Sequence, residues 1–153
     1  MIEPAQATAF LTELDAALPS SAEPVAAVMQ LIARRFPHYK WVGVYWLRDG
    51  GLELGPYVGA PTEHTRIAVG QGVCGTAVAE GRNQVIVDVR ELDNYLACSL
   101  TTRSEIVVLI RRSGEIIGQI DADGDVTGAF DASDEALLTV VAHRLARLPA
   151  DKS

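Results

Sequence analysis

The sequence predicts an α+β domain built on a mostly antiparallel sheet, and three observations predict it. Strand-like segments follow one another as hairpins, and helix-like segments gather toward the two ends of the chain. The 153 residues, 48% of them apolar, suit a single domain with a sizeable core. The predicted order of elements is α-α-β-β-β-α-β-β-β-α.

Two helices are predicted first. Apolar residues at positions 8–18 recur at intervals of three and four, which is typical of a short amphipathic helix, and Pro19 ends it. A second apolar stripe covers positions 25–36, where Ser21 offers a cap and Pro24 suits the first helical turn. Pro37 ends this second helix.

A hairpin and several short elements follow. β-Branched and aromatic residues at 41–47 and 52–57 flank a turn at Asp49-Gly50-Gly51, which predicts a hairpin. The remaining predictions are short strands at 66–69 and 84–87, a helix at 73–80, strands at 105–111 and 115–123, and a last helix capped at 131–133. Residues 88–103 show no periodicity, and an irregular loop of about 15 residues inside a compact domain is usually functional or disordered.

Charge and apolar patterning exclude several classes of protein. Thirteen Lys and Arg against 20 Asp and Glu give a net charge of −7, so nucleic acids and anionic membranes are not expected partners. No apolar stretch approaches the roughly 18 residues that cross a bilayer, and no basic segment precedes an apolar run at the N-terminus. A cytoplasmic location is expected, where thiols are kept reduced.

The second hairpin carries an acidic cluster. Because side chains alternate along a strand, Asp121 and Asp123 share one face of the sheet. A three-residue turn at 112–114 would pair Arg111 with Glu115 and place Glu105 opposite Asp121. Three carboxylates would then crowd one end of one face.

A two-residue turn is the alternative for this hairpin. It would pair Arg112 with Glu115, place Glu105 opposite Ala122 and split the acidic cluster between the two faces. The three-residue turn is favoured because it sorts the apolar residues onto one face. Those residues are Ile106, Val108, Ile110, Ile116, Gly118 and Ile120.

Clustered carboxylates favour a particular chemistry. Neighbouring acids raise one another's pKa, so one of them stays protonated and donates a hydrogen bond while the others accept. That suits a ligand with a polar oxygen and a cationic amine. Solvated acids at strand ends and ligands for a hard cation are the other readings of the same residues.

The two cysteines lie in different settings. Cys74 lies near the start of the predicted helix at 73–80, where a thiol has a lowered pKa, although free cysteine is also a common core residue. Cys98 lies in the irregular segment, seven residues before Glu105. Both thiols are candidates for redox chemistry.

The other candidate residues give weaker signals. Trp41 and Tyr45 are four apart on a strand and so share a face, as core residues or as a ligand wall. The histidines His38, His64 and His143 lack the spacing of a tetrahedral zinc site with the cysteines. Residues 70–72 open neither a dinucleotide fingerprint nor a phosphate-binding loop. No metal or organic cofactor is therefore expected.

Several blocks of sequence match one known family. They are KWVGVY at 40–45, LGP at 54–56, TRI at 65–67, GQGVCGTA at 70–77, LAC at 96–98, SEIV at 104–107, IGQIDAD at 117–123 and GAF at 128–130. Over residues 40–148 the chain therefore resembles a GAF domain, and more narrowly the free methionine-(R)-sulfoxide reductases. The resemblance implies one GAF-like domain over 1–153, with a helical segment at 1–37, a core at 40–148, helices on one face of the sheet and a ligand pocket on the other.

The resemblance also implies a thiol-dependent oxidoreductase. In that family the cysteine matching Cys98 attacks the sulfur of free methionine sulfoxide and becomes a sulfenic acid. A second thiol then forms a disulfide, which an external thioredoxin-like reductant reopens. Methionine is the product, and the chemistry uses no other cofactor.

Substrate-binding residues are implied in the same way. The acids that match Glu105, Asp121 and Asp123 hold the sulfoxide oxygen and supply its proton. The aromatic residues that match Trp41 and Tyr45 surround the methyl group. The acidic cluster thus follows both from strand alternation and from the resemblance.

The chain departs from the family pattern at two positions. A third, resolving cysteine usually precedes the Arg-Ile strand, and this chain has His64 and Thr65 there instead. Cys74 is then the only internal candidate to resolve the sulfenic acid, unless the external reductant attacks it directly. Ser99 replaces an acidic residue that commonly follows the nucleophile. A non-catalytic GAF module that binds a small molecule or senses thiol oxidation is the alternative, and a homodimer through the terminal helices is compatible with either.

Overall fold

The predicted order of helices and strands is confirmed by the computed structural model, which describes residues 1–93, 95 and 100–149. Cys98 and Ser99 lie outside the described residues. The helices are α1 (Pro4–Ala17), α2 (Pro24–Arg35), α3 (Gly72–Glu80) and α4 (Ala132–Ala146). The strands are β1 (Trp41–Arg48), β2 (Gly51–Val58), β3 (Arg66–Ala68), β4 (Gln84–Ile86), β5 (Ser104–Arg112) and β6 (Glu115–Gly124).

Helix α1 begins four residues before the start predicted from its apolar stripe. A capping box causes the early start: the Glu3 side chain accepts from a first-turn backbone N–H, and Gln6 Oε1 accepts from the Glu3 N–H at 2.9 Å. Pro4 occupies the first turn, where its missing N–H costs no hydrogen bond. Apolar periodicity therefore marked the packed part of the helix and missed its capped beginning.

The six strands form one antiparallel sheet in the order β3-β2-β1-β6-β5-β4. The two hairpins, β1-β2 and β5-β6, meet where β1 pairs with β6 at the centre. The predicted antiparallel sheet is thus confirmed, and the acids of β6 lie between two flanking strands.

The two faces of the sheet are covered differently. Helices α1, α2 and α4 pack on one face, which we call the helix face, against side chains such as Val44, Ile106 and Ile120. Trp41, Tyr45 and the other odd-numbered residues of β1 point to the opposite side, the pocket face, where α3 packs. The predicted division into a helix-packed face and a pocket face is confirmed, with α3 on the pocket side.

The turn of the second hairpin differs from the favoured prediction. Ser113 and Gly114 have φ values of 53° and 81°, and Arg112 pairs with Glu115. Two left-handed residues in succession form the two-residue turn that suits strand twist. The predicted three-residue turn and the pairing of Arg111 with Glu115 are therefore wrong.

A β-bulge nevertheless keeps the acids on one face. Ile110 pairs with Gly118 while Arg111 pairs with Ile116, so Ile117 is an extra residue in β6. This extra residue adds a second one-residue shift to the one made by the shorter turn, and the total shift of two residues restores the face. Glu105 consequently lies opposite Asp123, two residues from the predicted partner Asp121, and the shared face is retained.

The same bulge exchanges two isoleucines. Ile116, which was predicted on the apolar face with Ile106, packs instead against the pocket-face cluster, and Ile117 packs on the helix face. A bulge shifts alternation locally, so strand parity fails between the turn and the extra residue.

Within the described part of the chain, no helix combines the length and apolar character needed to cross a membrane.

Candidate active site

Three buried carboxylates lie on the pocket face of β5 and β6. Glu105 is 3% exposed, Asp121 1% and Asp123 2%. Glu105 lies directly across from Asp123, and Asp121 follows two residues earlier on the same face. The predicted acidic cluster is present, and its members are not solvated strand-end acids.

Three cross-strand rows define the floor of the site. The first row is Trp41, Asp123 and Glu105; the second is Gly43, Asp121 and Val107; the third is Tyr45, Gln119 and Leu109. Glu105 and Asp123 therefore lie in the first row beside Trp41, and Asp121 lies in the second row beside Val107. This arrangement pairs a polar end of the site with an apolar wall.

The electrostatics of the cluster indicate which of the three acids holds a proton. Burial raises the pKa of Glu105 well above its usual range, and the charges of Asp121 and Asp123 raise it further. Burial also raises the pKa of Asp121, while a hydrogen bond with Glu105 acts in the opposite direction by stabilising its carboxylate. Glu105 thus holds a proton and donates it toward Asp121.

A thiol adjoins these carboxylates. Cys74 lies in the first turn of α3, is 5% exposed, and its Sγ is 3.8 Å from Glu105 Oε2. The predictions of a buried thiol and of a thiol near a helix N-terminus are both confirmed. Sulfur, a proton-holding acid and a carboxylate therefore share one pocket.

Gln119 is a polar residue that the sequence analysis missed. It is fully buried in the third row of the floor, and its Nε2 donates to the Cys74 carbonyl at 3.0 Å. This hydrogen bond connects α3 to β6 and helps to position Cys74 next to the acids. Strand alternation contained the signal, because Gln119 shares a face with Asp121 and Asp123.

An aromatic wall closes the side of the site formed by β1 and β2. Trp41 stacks on Tyr57, with ring centroids 5.4 Å apart, and lies 6.4 Å from Tyr45. Its indole ring folds over Gly43, where a Cβ would lie 2.7 Å from the ring. Glycine at this position is therefore required for the wall to form beside Asp121.

The same aromatic residues hold a loop over the sheet. Trp41 Nε1 donates to the Ala60 carbonyl at 3.1 Å, and the Tyr45 hydroxyl donates to the His64 carbonyl at 2.8 Å. The connection between β2 and β3 is thereby anchored at both ends. His64 lines a cavity together with Glu105 and Asp121 as a result.

Two cavities adjoin the cluster. The larger, of about 130 Å³, is lined by Trp41, Thr102 and Asp123 among others. The smaller, of about 10 Å³, is lined by His64, Cys74, Glu105 and Asp121 among others. The larger cavity has room for a small organic molecule beside Trp41 and Asp123, and the smaller accommodates about one water-sized particle.

The structure brings together six of the seven predicted site residues. These six are Trp41, Tyr45, Cys74, Glu105, Asp121 and Asp123. Cys98, the seventh, lies outside the described residues. Its neighbours along the chain lie at the site: Tyr95 packs against the pocket-face cluster, and Thr101 and Thr102 line the larger cavity.

The three histidines occupy separate regions. His38 Nε2 lies 2.7 Å from Asp134 Oδ1 at the start of α4, His143 is exposed on α4, and only His64 among them lines a cavity of the site. Of the described residues, Cys74, Glu105 and Asp121 form a group whose donor atoms lie within 4.8 Å of one another, close enough to hold a metal ion.

Comparison with known proteins identifies the family. A family model described as the GAF domain matches residues 22–148. The chain belongs to the GAF domain family. Its site therefore occupies the pocket face of a GAF sheet.

Relatives of this GAF domain include named reductases. It is 39% identical to the free methionine-R-sulfoxide reductase of Escherichia coli (strain K12) over 126 residues, which cover 82% of this chain and 76% of that protein. Protein YtsP of Bacillus subtilis (strain 168) is 42% identical over 117 residues, covering 75% of this chain and 71% of that protein.

A solved structure shows the same fold with substrate. The X-ray structure of free methionine-R-sulfoxide reductase from Neisseria meningitidis in complex with its substrate matches this GAF domain with a TM-score of 0.85 at 31% identity. The match covers 93% of this chain and 89% of that chain. The similarity therefore extends over nearly the whole of both molecules.

Proposed function

We propose that this GAF domain reduces free methionine-R-sulfoxide to methionine. The observation that carries the proposal is the convergence of a proton-holding acid, two further buried carboxylates, a thiol and an aromatic wall on one face of the sheet. The named reductases of E. coli and N. meningitidis support the same reaction.

The site suits the groups of the substrate. The sulfoxide oxygen carries partial negative charge and accepts a hydrogen bond, which the protonated Glu105 donates. The methyl group lies against Trp41, whose indole supplies apolar contact. The substrate amine is cationic and is attracted by Asp123, which borders the larger cavity.

Cys98 is proposed as the nucleophile. The proposal is supported by its position in the family block and by the location of Tyr95, Thr101 and Thr102 at the site. Cys74 is less suitable because its thiol is enclosed in a cavity of about 10 Å³, which cannot admit methionine sulfoxide. The larger cavity is lined by Thr101 and Thr102, which follow Cys98 by three and four residues in the sequence.

The proposed reaction proceeds in two steps. The Cys98 thiolate attacks the sulfoxide sulfur, Glu105 protonates the oxygen, and transfer of that oxygen leaves Cys98 as a sulfenic acid and releases methionine. The Cys74 thiol then attacks the sulfenic sulfur, the S–O bond breaks, and the hydroxyl leaves as water with the thiol proton while a disulfide forms. A thioredoxin-like dithiol reduces the disulfide and restores both thiols.

The remaining expectations accompany this proposal. A cytoplasmic location would supply the thiol reductant, and the reaction needs no metal or organic cofactor. A homodimer and the domain limits of 1–153 stay predictions from the sequence. None of these enters the chemistry at Cys98.

The deciding experiment measures methionine formation. The reduced protein is incubated with the separate R and S epimers of free methionine sulfoxide and a dithiol, and many turnovers of the R epimer are expected. Cys98→Ser is expected to form no methionine, while binding of the sulfoxide measured by calorimetry persists. Binding of the sulfoxide without any methionine from the unaltered protein would favour the non-catalytic GAF module instead.

A further inference from the structure

The small cavity beneath α3 has features that the reduction of a sulfoxide does not use. Cys74, Glu105 and Asp121 each direct one donor atom to a common region, with all three atoms within 4.8 Å of one another. The residues come from three separate elements, α3, β5 and β6, and all three are buried. Three potential metal ligands thus meet in a place that bulk water does not reach.

Asp121 provides an independent indication of a ligand. Its Oδ1 atom is buried and has no hydrogen-bond partner among the residues that the structure describes. A buried carboxylate oxygen without a partner is costly, and the cost disappears when a cation binds it. Asp121 lines the cavity of about 10 Å³, so its oxygen faces a space that accommodates one water-sized particle or one metal ion.

The donor set selects the class of metal. Mg²⁺ and Ca²⁺ bind oxygen ligands, whereas a thiolate with carboxylates is typical of Zn²⁺. Zinc bonds of about 2.3 Å to sulfur and about 2.0–2.2 Å to oxygen allow one ion to bridge Cys74 Sγ and Glu105 Oε2 at a bent angle across their 3.8 Å separation. His64 also lines this cavity, outside the group of three converging donor atoms, and rotation of its side chain would bring an imidazole nitrogen to the ion as a fourth ligand.

We propose that Cys74, Glu105, Asp121 and His64 form a zinc site in which Zn²⁺ binds reversibly and blocks the reductase. Zinc binding itself follows from the geometry of these residues. The block on activity rests on the proposed sulfoxide reduction, which needs the Glu105 proton and a free Cys74 thiol. An ion that occupies both residues removes the acid from the first step and the thiol from the second.

The fold holds His64 next to the three converging donors. The Tyr45 hydroxyl donates to the His64 carbonyl at 2.8 Å and so keeps this residue beside the cavity that it lines. Zinc sites with four protein ligands of this kind are closed, so the ion would have no open position for catalysis. The expected role is therefore inhibition rather than metal-assisted chemistry.

Cobalt binding tests the site without any turnover. The reduced full-length protein is titrated with Co²⁺ and then with Zn²⁺, and tetrahedral visible bands with a thiolate-to-cobalt charge-transfer band are expected at one ion per chain. Zn²⁺ is expected to displace Co²⁺ and abolish both signals. Octahedral cobalt bands, or no saturable binding, would overturn the proposal.

Two pairs of variants locate the ion. Cys74→Ser is expected to lose the charge-transfer band and Cys98→Ser to retain it, with circular dichroism confirming that both proteins fold. His64→Ala is expected to weaken zinc binding at least about tenfold, since even outer-shell changes cost 10–100-fold. His143→Ala, on the exposed side of α4, is the matched control and is expected to bind zinc unchanged. Loss of the band in Cys98→Ser alone would overturn the assignment of ligands.

The inhibition is tested separately. Zinc is expected to inhibit methionine formation with the same concentration dependence as its binding, and a chelator is expected to restore the rate. His64→Ala should raise the inhibitory concentration at least about tenfold while His143→Ala leaves it unchanged. Full activity at saturating zinc would contradict the inhibitory role. Binding without any turnover in zinc-free protein would instead contradict the proposed reductase.

Discussion

The helix face and the pocket face of the same sheet treat buried acids in opposite ways. On the helix side, Asp134 is fully buried and accepts hydrogen bonds from the Tyr39 hydroxyl at 2.8 Å and the Asp131 N–H at 2.9 Å, with His38 Nε2 at 2.7 Å. On the pocket side, Glu105 and Asp121 face each other and a thiol.

This difference separates a structural acid from functional ones. Asp134 is surrounded by hydrogen-bond donors, and its charge with burial raises the pKa of Tyr39, so the Tyr39 hydroxyl stays protonated as a donor. On the pocket face, burial raises the pKa of both Glu105 and Asp121, and the charges of Asp121 and Asp123 raise the pKa of Glu105 further. A folded protein retains crowded buried acids where their chemistry is needed, at a cost in stability.

The largest expected effect comes from Glu105→Gln, which removes the proton-holding acid of the pocket face and leaves the helix face unchanged. Loss of a general acid lowers the rate of methionine formation by about 10²–10⁴-fold. The raised pKa of Glu105 has a second consequence. Its contribution to stability is fully present below the ordinary carboxyl pKa of 4.5 and is lost as pH rises through the higher pKa of the folded state.

The glutamine variant should therefore show a flatter dependence of stability on pH. Urea unfolding of both proteins from about pH 4.5 upward measures this, and the variant is expected to gain relative to the original protein as pH rises. Equal slopes in the two proteins would mean that Glu105 does not hold the proton.

Asp134→Ala makes the complementary change on the helix face. It leaves Tyr39 and His38 without their acceptor and removes half of the capping box of α4. A loss of about 2–4 kcal/mol in the free energy of unfolding is expected from an orphaned buried donor and a lost cap. Methionine formation per folded molecule should be unchanged, because the site lies across the sheet. A selective loss of activity would remove the distinction between the two faces.

The sequence predicted the elements and the shared face of the acids because both follow from local periodicity. It did not predict the register of the second hairpin, because the turn and the bulge each shift it by one residue in the same direction. The combined shift of two residues changes the partner of Glu105 and keeps its face. Ile116 was assigned to the wrong face for the same reason. Alternation of side chains therefore predicts the correct face for the residues of β6 after Ile117 and the wrong face for Ile116, which precedes it.

Contacts between residues far apart in the sequence could not be predicted from local sequence patterns. Tyr39 and His38 meet Asp134 from 95 and 96 residues away, and nothing in either segment marks the partner. His64 gave only the weak signal of an unpatterned histidine, and its position in the site depends on the hydrogen bond from Tyr45. Such pairings arise from the sheet topology, which brings the ends of separate hairpins together.

The smallest expected effect concerns Cys74, the thiol of the pocket face. If Cys74 only resolves the sulfenic acid on Cys98, Cys74→Ser should form one methionine per chain in a single turnover as fast as the unaltered protein. Multiple turnover with a thioredoxin-like reductant should slow by roughly tenfold, equivalent to about 1.4 kcal/mol in the limiting step. Rapid quenching followed by chromatography of methionine measures both phases.

The choice of reductant sharpens this test. A small monothiol can reduce a sulfenic acid directly, so at high concentration it should narrow the difference between Cys74→Ser and the unaltered protein. Because the Cys74 thiol donates toward Glu105 at 3.8 Å, serine is the substitution that keeps a donor beside the acid. Loss of the first methionine in Cys74→Ser would therefore mean that the sulfur itself takes part in the attack on the sulfoxide, and the thiol would belong to the first step along with Glu105.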